Sequence, residues 1–235
     1  MTNLEKLKIS TNTKLTEALD DIIAMETLIR HNSFFINEFK KRDIENKKLI
    51  IQNQIFKYRL FIGILLCDIC SSLNIYFKAE TRYEEKYAIR NLIVVINEGF
   101  KKIFNFQKIN EKGNVKSTYR NNSFWVKEIK PIINSDFIEY EDEYQRITEK
   151  LEKYLEFDFN KIKEERDLSI HYDRNPILII NMIIELDFEN KVPFLLSFMD
   201  ILDEMYFFTE KLGNHYRKDI EESYDKFQYK LSIKE

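Results

Sequence analysis

Three histidines, His31, His171 and His215, are the side chains of this 235-residue chain best suited to acid/base work, since imidazole alone titrates near neutrality when unperturbed. His31 falls at the end of an amphipathic stretch, and His215 stands beside Arg217 in a charged C-terminal region; both read as surface or capping residues. His171 has different company. It closes the run Arg166-Asp167-Leu168-Ser169-Ile170-His171, which is followed by Tyr172-Asp173-Arg174-Asn175-Pro176. A guanidinium fork suits phosphate oxygens, and an imidazole suits proton transfer, so the pair has the ingredients for cleaving a phosphodiester. On a straight helix of ~100° per residue, Asp167 and His171 share nearly one face. Arg166 and His171 instead diverge by about 140° and by ~7.5 Å along the axis. Either the backbone unwinds before His171 so that the arginine curls round, or two chains turn their motifs into one cleft.

The run resembles the signature of the HEPN superfamily (higher eukaryotes and prokaryotes nucleotide-binding). That signature is an Arg, usually followed by a polar residue, and then a His after four to six intervening residues. Here Arg166 and His171 have four residues between them, Asp167 fills the polar position, and a turn and a further helix follow. The resemblance covers residues 137–212 best, while the N-terminal third is compatible with it. It implies an all-α, HEPN-like bundle of long antiparallel helices, a two-fold homodimer with a composite site, and metal-independent RNA cleavage. By that resemblance, His171 serves the ribose 2′-hydroxyl or the leaving 5′-oxygen as base or acid. Arg166 steadies the phosphorane, and Asp167 orients the imidazole or Arg166. DNA, lacking the 2′-hydroxyl, is then no substrate. The family's biology implies a toxin–antitoxin, abortive-infection or related phage-defence role, with a protein antitoxin or regulator as a further partner. One departure stands out. In toxins whose antitoxin modifies a tyrosine, that Tyr follows the His with one residue between, whereas here Tyr172 is adjacent and Asp173 comes next.

The same residues also fit blander readings. Glu164 to Asp167 can be a solvated helix face, with His171 near a helix C-terminus where the dipole favours it. A catalytically silent, HEPN-like binding or regulatory protein fits as well. Cys67 and Cys70 form a C-x-x-C, but no second Cys or Cys/His pair exists to complete a structural zinc site. They lie within an apolar helical stretch rather than at a strand-to-helix turn, so they read as core cysteines rather than a redox pair. No metal or cofactor is expected.

Net charge is −3, which offers no overall basic field to nucleic acid, but the charges are segregated. Six bases from Lys101 to Arg120 face one acid, Glu111, whereas Asp136 to Asp158 carries nine acids against three bases. The basic segment, with Phe104, Phe106 and Tyr119, reads as a mobile loop that could guide and stack single-stranded RNA. The acidic one would repel RNA and calls for a protein partner or a basic patch on the same molecule.

The elements that must position these residues are helices. With only 4 Gly and 3 Pro, the chain has few places to turn, and 44% of it is aliphatic, aromatic or cysteine. Hydrophobic periodicity predicts helices over 13–31, 43–78, 82–104 with Thr81 as cap, and 137–156. Ser123 caps a short helix ending near Pro131, and another helical stretch from about 160 leads into His171. Lys48, Arg59, Asn74 and Lys78 fall opposite the apolar stripe of the second helix. Asn175-Pro176 starts a helix whose apolar run, Ile177 to Leu186, is expected to be buried, with a buried strand as the alternative for the same run. The last core helix spans 192–212 and stops at Gly213, leaving a charged, peripheral tail over 213–235. The whole reads as one domain, 1–235, with the motif-bearing core at 137–212. No basic-then-apolar leader begins the sequence, and the run Leu60 to Cys67 is far shorter than the ~18 residues of a membrane span, so a cytoplasmic protein is expected.

Overall fold

A computed structural model describes residues 3–104, 106–109, 115–119, 123–157, 159, 175–222 and 224. The described chain is helical apart from one two-stranded ladder. Its elements are α1 (Asn3–Lys40), α2 (Lys47–Lys78), α3 (Arg82–Ile103), β1 (Phe106–Ile109), β2 (Val115–Tyr119), a π-turn (Trp125–Ile129), α4 (Lys130–Asp136), a 3₁₀ turn (Ile138–Tyr140), α5 (Glu141–Phe157), α6 (Pro176–Glu185) and α7 (Phe188–His215).

α1 extends well beyond 13–31 at both ends. The Thr/Asn-rich start that suggests a non-helical lead-in is helical because its hydroxyls bond back to the preceding turn: Thr11 to the Leu7 carbonyl at 2.8 Å, Thr13 to Ile9 at 3.2 Å, Thr16 to Asn12 at 3.2 Å. Thr11, Ala18, Met25, Asn32 and Phe39 recur every seven residues and are all buried, making a seam of the kind that holds paired helices together. A turn with Asp43 in the left-handed region (φ 54°) reverses the chain, and the Asn46 side chain caps α2 by accepting from Leu49 N at 3.1 Å.

Cross-helix contacts fix the packing directions. Asn32 donates to Gln52 and Asn53 to Ser33, while Asp21 pairs with Arg59, so α1 and α2 run antiparallel. Asn91 bonds Ser72, and Gly99 lies against Leu65, which makes α3 antiparallel to α2. α7 runs antiparallel to α2 as well, with Phe188 stacked on Tyr76 (4.0 Å) at one end and Gly213 against Phe56 at the other. α2 is therefore the central helix. It is also the one described helix long and apolar enough to cross a membrane. Nevertheless Gln52, Asn53 and Arg59 are buried within the bundle along it, which marks it as a core helix.

α3 begins where expected. Thr81 and Glu84 form a reciprocal capping box, a local signal that satisfies two orphan N–H groups. Pro131 does not end its helix but sits in the first turn of α4. The preceding π-turn bonds Lys130 N to the Trp125 carbonyl, five residues back, so the wider ring leads directly into a position where a missing N–H costs little. Trp125 is fully buried, donates to Thr148 Oγ1 at 2.8 Å and stacks on Tyr144 at 4.7 Å.

Gly213 is not a helix stop either. α7 continues to His215, and a Cβ at 213 would stand 2.6 Å from the Phe56 ring, so glycine is there to let α7 approach α2. Residues 217–222 are helical, and Tyr216 and Ile220 are buried, so the beginning of the charged tail belongs to the core.

Candidate functional site

Arg166, Asp167 and His171 lie outside the described residues; the elements on either side of them do not. α5 ends beside an aromatic cluster in which Phe159 is buried and its ring lies 4.7 Å from Phe100, with Tyr154 stacked on Phe198 at 5.2 Å. Beyond the motif the chain is fixed again at Asn175. Its side-chain oxygen accepts from Ile177 N at 3.1 Å, its carbonyl accepts from Leu178 N at 3.1 Å, and Pro176 occupies the first turn of α6. A helix thus begins at Asn175-Pro176, as the sequence suggests, and its cause is a local cap.

α6 is helical as expected but not buried as expected. Ile179, Met182 and Ile183 face the core, while Ile177 (62%), Ile180 (45%) and Ile184 (56%) form an exposed stripe at helical spacing, flanked by Leu178. A helix apolar all round announces that it will be covered, without saying which faces its own chain covers.

The basic segment is partly ordered into a ladder rather than a loop. Phe106 pairs with Tyr119, Gln107 with Thr118 and Lys108 with Ser117, and an irregularity follows before Ile109 meets Val115. The β-branched and aromatic residues at Ile109, Val115, Thr118 and Tyr119 suit extended backbone. Phe104 is 1% exposed and packs near Phe100, so it is a core residue and not a platform for a base. Charge pairs of both senses join the acidic α5 to α7: Lys211 of α7 bonds Glu143 at 2.9 Å, while α5's own bases Arg146 and Lys150 reach Glu204 of α7.

The other two histidines keep structural company. His31 lies 4.8 Å from Phe35 and edge-on to Tyr224, and His215, in the last turn of α7, has Nδ1 3.5 Å from Glu139. Cys67 and Cys70 are free and buried inside α2; burial raises the Cys67 thiol and pushes Cys70 up to about 12. Such thiols stay protonated at physiological pH and make poor nucleophiles. Among the described residues no group of three His, Cys, Asp or Glu could hold a metal ion.

Two features escape a reading of the sequence. Arg59 is not on a solvated face: its side chain is buried, forks onto Asp21 at 2.7 and 3.0 Å, and lies 4.3 Å over the Tyr206 ring. Its partners are 38 and more residues away, so no local pattern reveals them. The second is a cavity of about 870 Å³ between the end of α1, the start of α2 and the π-turn, assembled from three separated segments. Set against family models, curated proteins and solved structures, the chain has no significant match to any of them.

Proposed function

We propose that the chain is a HEPN-type, metal-independent endoribonuclease, working as a cytoplasmic homodimer in toxin–antitoxin or phage-defence (abortive-infection) biology. The observation that carries this reading is Arg166-Asp167 followed by His171, within a helical protein, directly before a helix capped by Asn175 and begun by Pro176. The exposed isoleucine stripe of α6 supports a second copy as partner, because the stripe begins only six residues after His171.

In this mechanism the 2′-oxygen of the ribose attacks the adjacent phosphorus as its proton passes to an imidazole. The P–O5′ bond breaks and the 5′-oxygen takes up a proton. The products are a 2′,3′-cyclic phosphate and a 5′-hydroxyl, and neither water nor metal is consumed. His171 moves the protons, a role worth roughly 10² to 10⁴ in rate. The Arg166 fork bears the charge on the phosphorane, and Asp167 orients one of them. Two chains facing each other remove the difficulty that one straight helix aims Arg166 and His171 in different directions.

The alternative is a catalytically silent helical binding or regulatory protein of the same type. The burial of Phe104 favours it, since one of three rings suited to RNA stacking is lost to the core. One assay separates the two. Purified protein with EDTA should cut RNA, leaving cyclic-phosphate ends, and His171→Ala should lose at least ~10²-fold in rate while folding normally. Cleavage that is absent, or equal in the variant, rejects the enzyme.

A further inference from the structure

The cavity at the α1–α2 turn has the chemistry of a binding site, and it stands independently of the nuclease reading. At about 870 Å³ it is within the size range of small-molecule sites. Part of its wall is apolar: Ile36, Ile44, Ile50 and the half-buried ring of Phe124, which is held in place by stacking on Phe61 and by contact with Tyr58, each 5.6 Å away. Ile44 and Ile50 are 44% and 37% exposed, so apolar surface is left facing a concavity rather than packed away.

Asn53, 5% exposed, lines the same cavity. Its amide nitrogen donates to Ser33 Oγ at 3.3 Å, but its Oδ1 is buried and has no hydrogen-bond partner. A buried acceptor left unmade is costly, and a turn of the Asn53 amide toward the cavity would let a donor from a ligand repair it. Charges of both signs surround it. Lys40 and Lys57, Asp43 and Glu45 line the cavity, and among the described residues none of these four forms an ion pair. Glu128 is already engaged, accepting from Gln54 at 3.0 Å.

We propose that this cavity binds a short free peptide of two to four residues with apolar or aromatic side chains. A peptide matches each feature at once: a backbone N–H for Asn53 Oδ1, apolar side chains for the isoleucines and Phe124, an ammonium for Asp43 or Glu45, and a carboxylate for Lys40 or Lys57. A phosphorylated ligand fits less well, because carboxylates outnumber ammonium groups along the walls.

Isothermal titration of the full chain with leucyl-phenylalanyl-leucine tests this, with trialanine and the N-acetylated, C-amidated form of the first peptide alongside. The apolar tripeptide should bind with a dissociation constant on the order of 10 to 100 µM, and trialanine at least ~10-fold more weakly. Blocking both termini should cost about three- to fivefold, the modest effect of exposed charges. Asn53→Leu should weaken binding about tenfold while melting close to the wild-type temperature, because removing an orphaned acceptor offsets the lost bond to Ser33. Should that variant fail to fold, Ile44→Glu at the exposed rim serves, with a similar loss expected. The proposal is overturned if the tripeptide does not bind, if trialanine binds as well, if the blocked peptide binds equally or better, or if the folded variant retains full affinity.

Discussion

α2 and α6 are both dominated by isoleucine and leucine, and the fold treats them in opposite ways. α2 is packed by α1, α3 and α7 along most of its length, leaving only Ile50, Ile64 and Ile75 among its large apolar side chains well exposed, and two of its long polar side chains find partners inside: Gln52 with Asn32 and the Gly213 carbonyl, Arg59 with Asp21. α6 buries Ile179, Met182 and Ile183 but leaves Ile177, Ile180 and Ile184 to solvent. Apolar composition therefore states that a helix face seeks cover, and only the tertiary structure states who provides it. For α2 the cover is largely its own chain, and for the outer face of α6 it is the second copy proposed above.

If that contrast holds, the largest losses of stability come from α2's enclosed polar pair. Asp21→Ala leaves the Arg59 guanidinium buried with only Glu210, at 3.6 Å, and the Tyr206 ring for company. Breaking a buried pair in this way costs about 3 to 5 kcal/mol, and the residual Glu210 contact places the value near the lower end. Urea denaturation measures it. Replacing both partners by leucine should cost less than removing Asp21 alone, since no charge is then stranded. A loss under about 1 kcal/mol for Asp21→Ala would mean that Arg59 escapes to water and that α2 is less enclosed than described.

A smaller effect tests the closeness of α2 and α7. Gly213→Ala brings a Cβ to 2.6 Å from the Phe56 ring, which must turn or push the helices apart. Overpacking of this kind costs about 1 to 3 kcal/mol, whereas Gly→Ala in an open helix gains up to ~1 kcal/mol through propensity. The sign of the change in melting temperature thus distinguishes a packing glycine from a mere helix stop.

Gly213 also shows where a sequence is legible and where it is not. Features written in neighbouring residues can be read directly: the Thr81–Glu84 capping box that begins α3, and the Asn175-Pro176 pair that begins α6. A glycine near a helix end carries two meanings, a stop or a close approach, and Phe56, which decides between them, lies far away in the chain. The threonines of α1 mislead for a related reason: a hydroxyl that can break a helix can also bond back to the turn before it, as Thr11 does. Arg59 reads as exposed until Asp21 is seen opposite. The candidate motif was legible because its residues are close in sequence, while Asn53 and Phe124 meet only once two helices and a π-turn have folded together.

The smallest effect on folding, and the most discriminating one, belongs to the outer face of α6. Ile180 is 45% exposed, so Ile180→Lys keeps a helix-compatible residue and sets an ammonium where water already reaches. Unfolding of a single chain should change by no more than ~0.5 kcal/mol. Light scattering should nevertheless report half the mass of the wild-type particle, because an unpartnered ammonium in an apolar interface opposes association. RNA cleavage that depends on two motifs facing each other should fall with it. A wild-type protein that is already monomeric, together with a loss above ~2 kcal/mol in Ile180→Lys, would show that α6 is covered by its own chain. The contrast between the two helices would then vanish, and the proposal of a dimeric site with it.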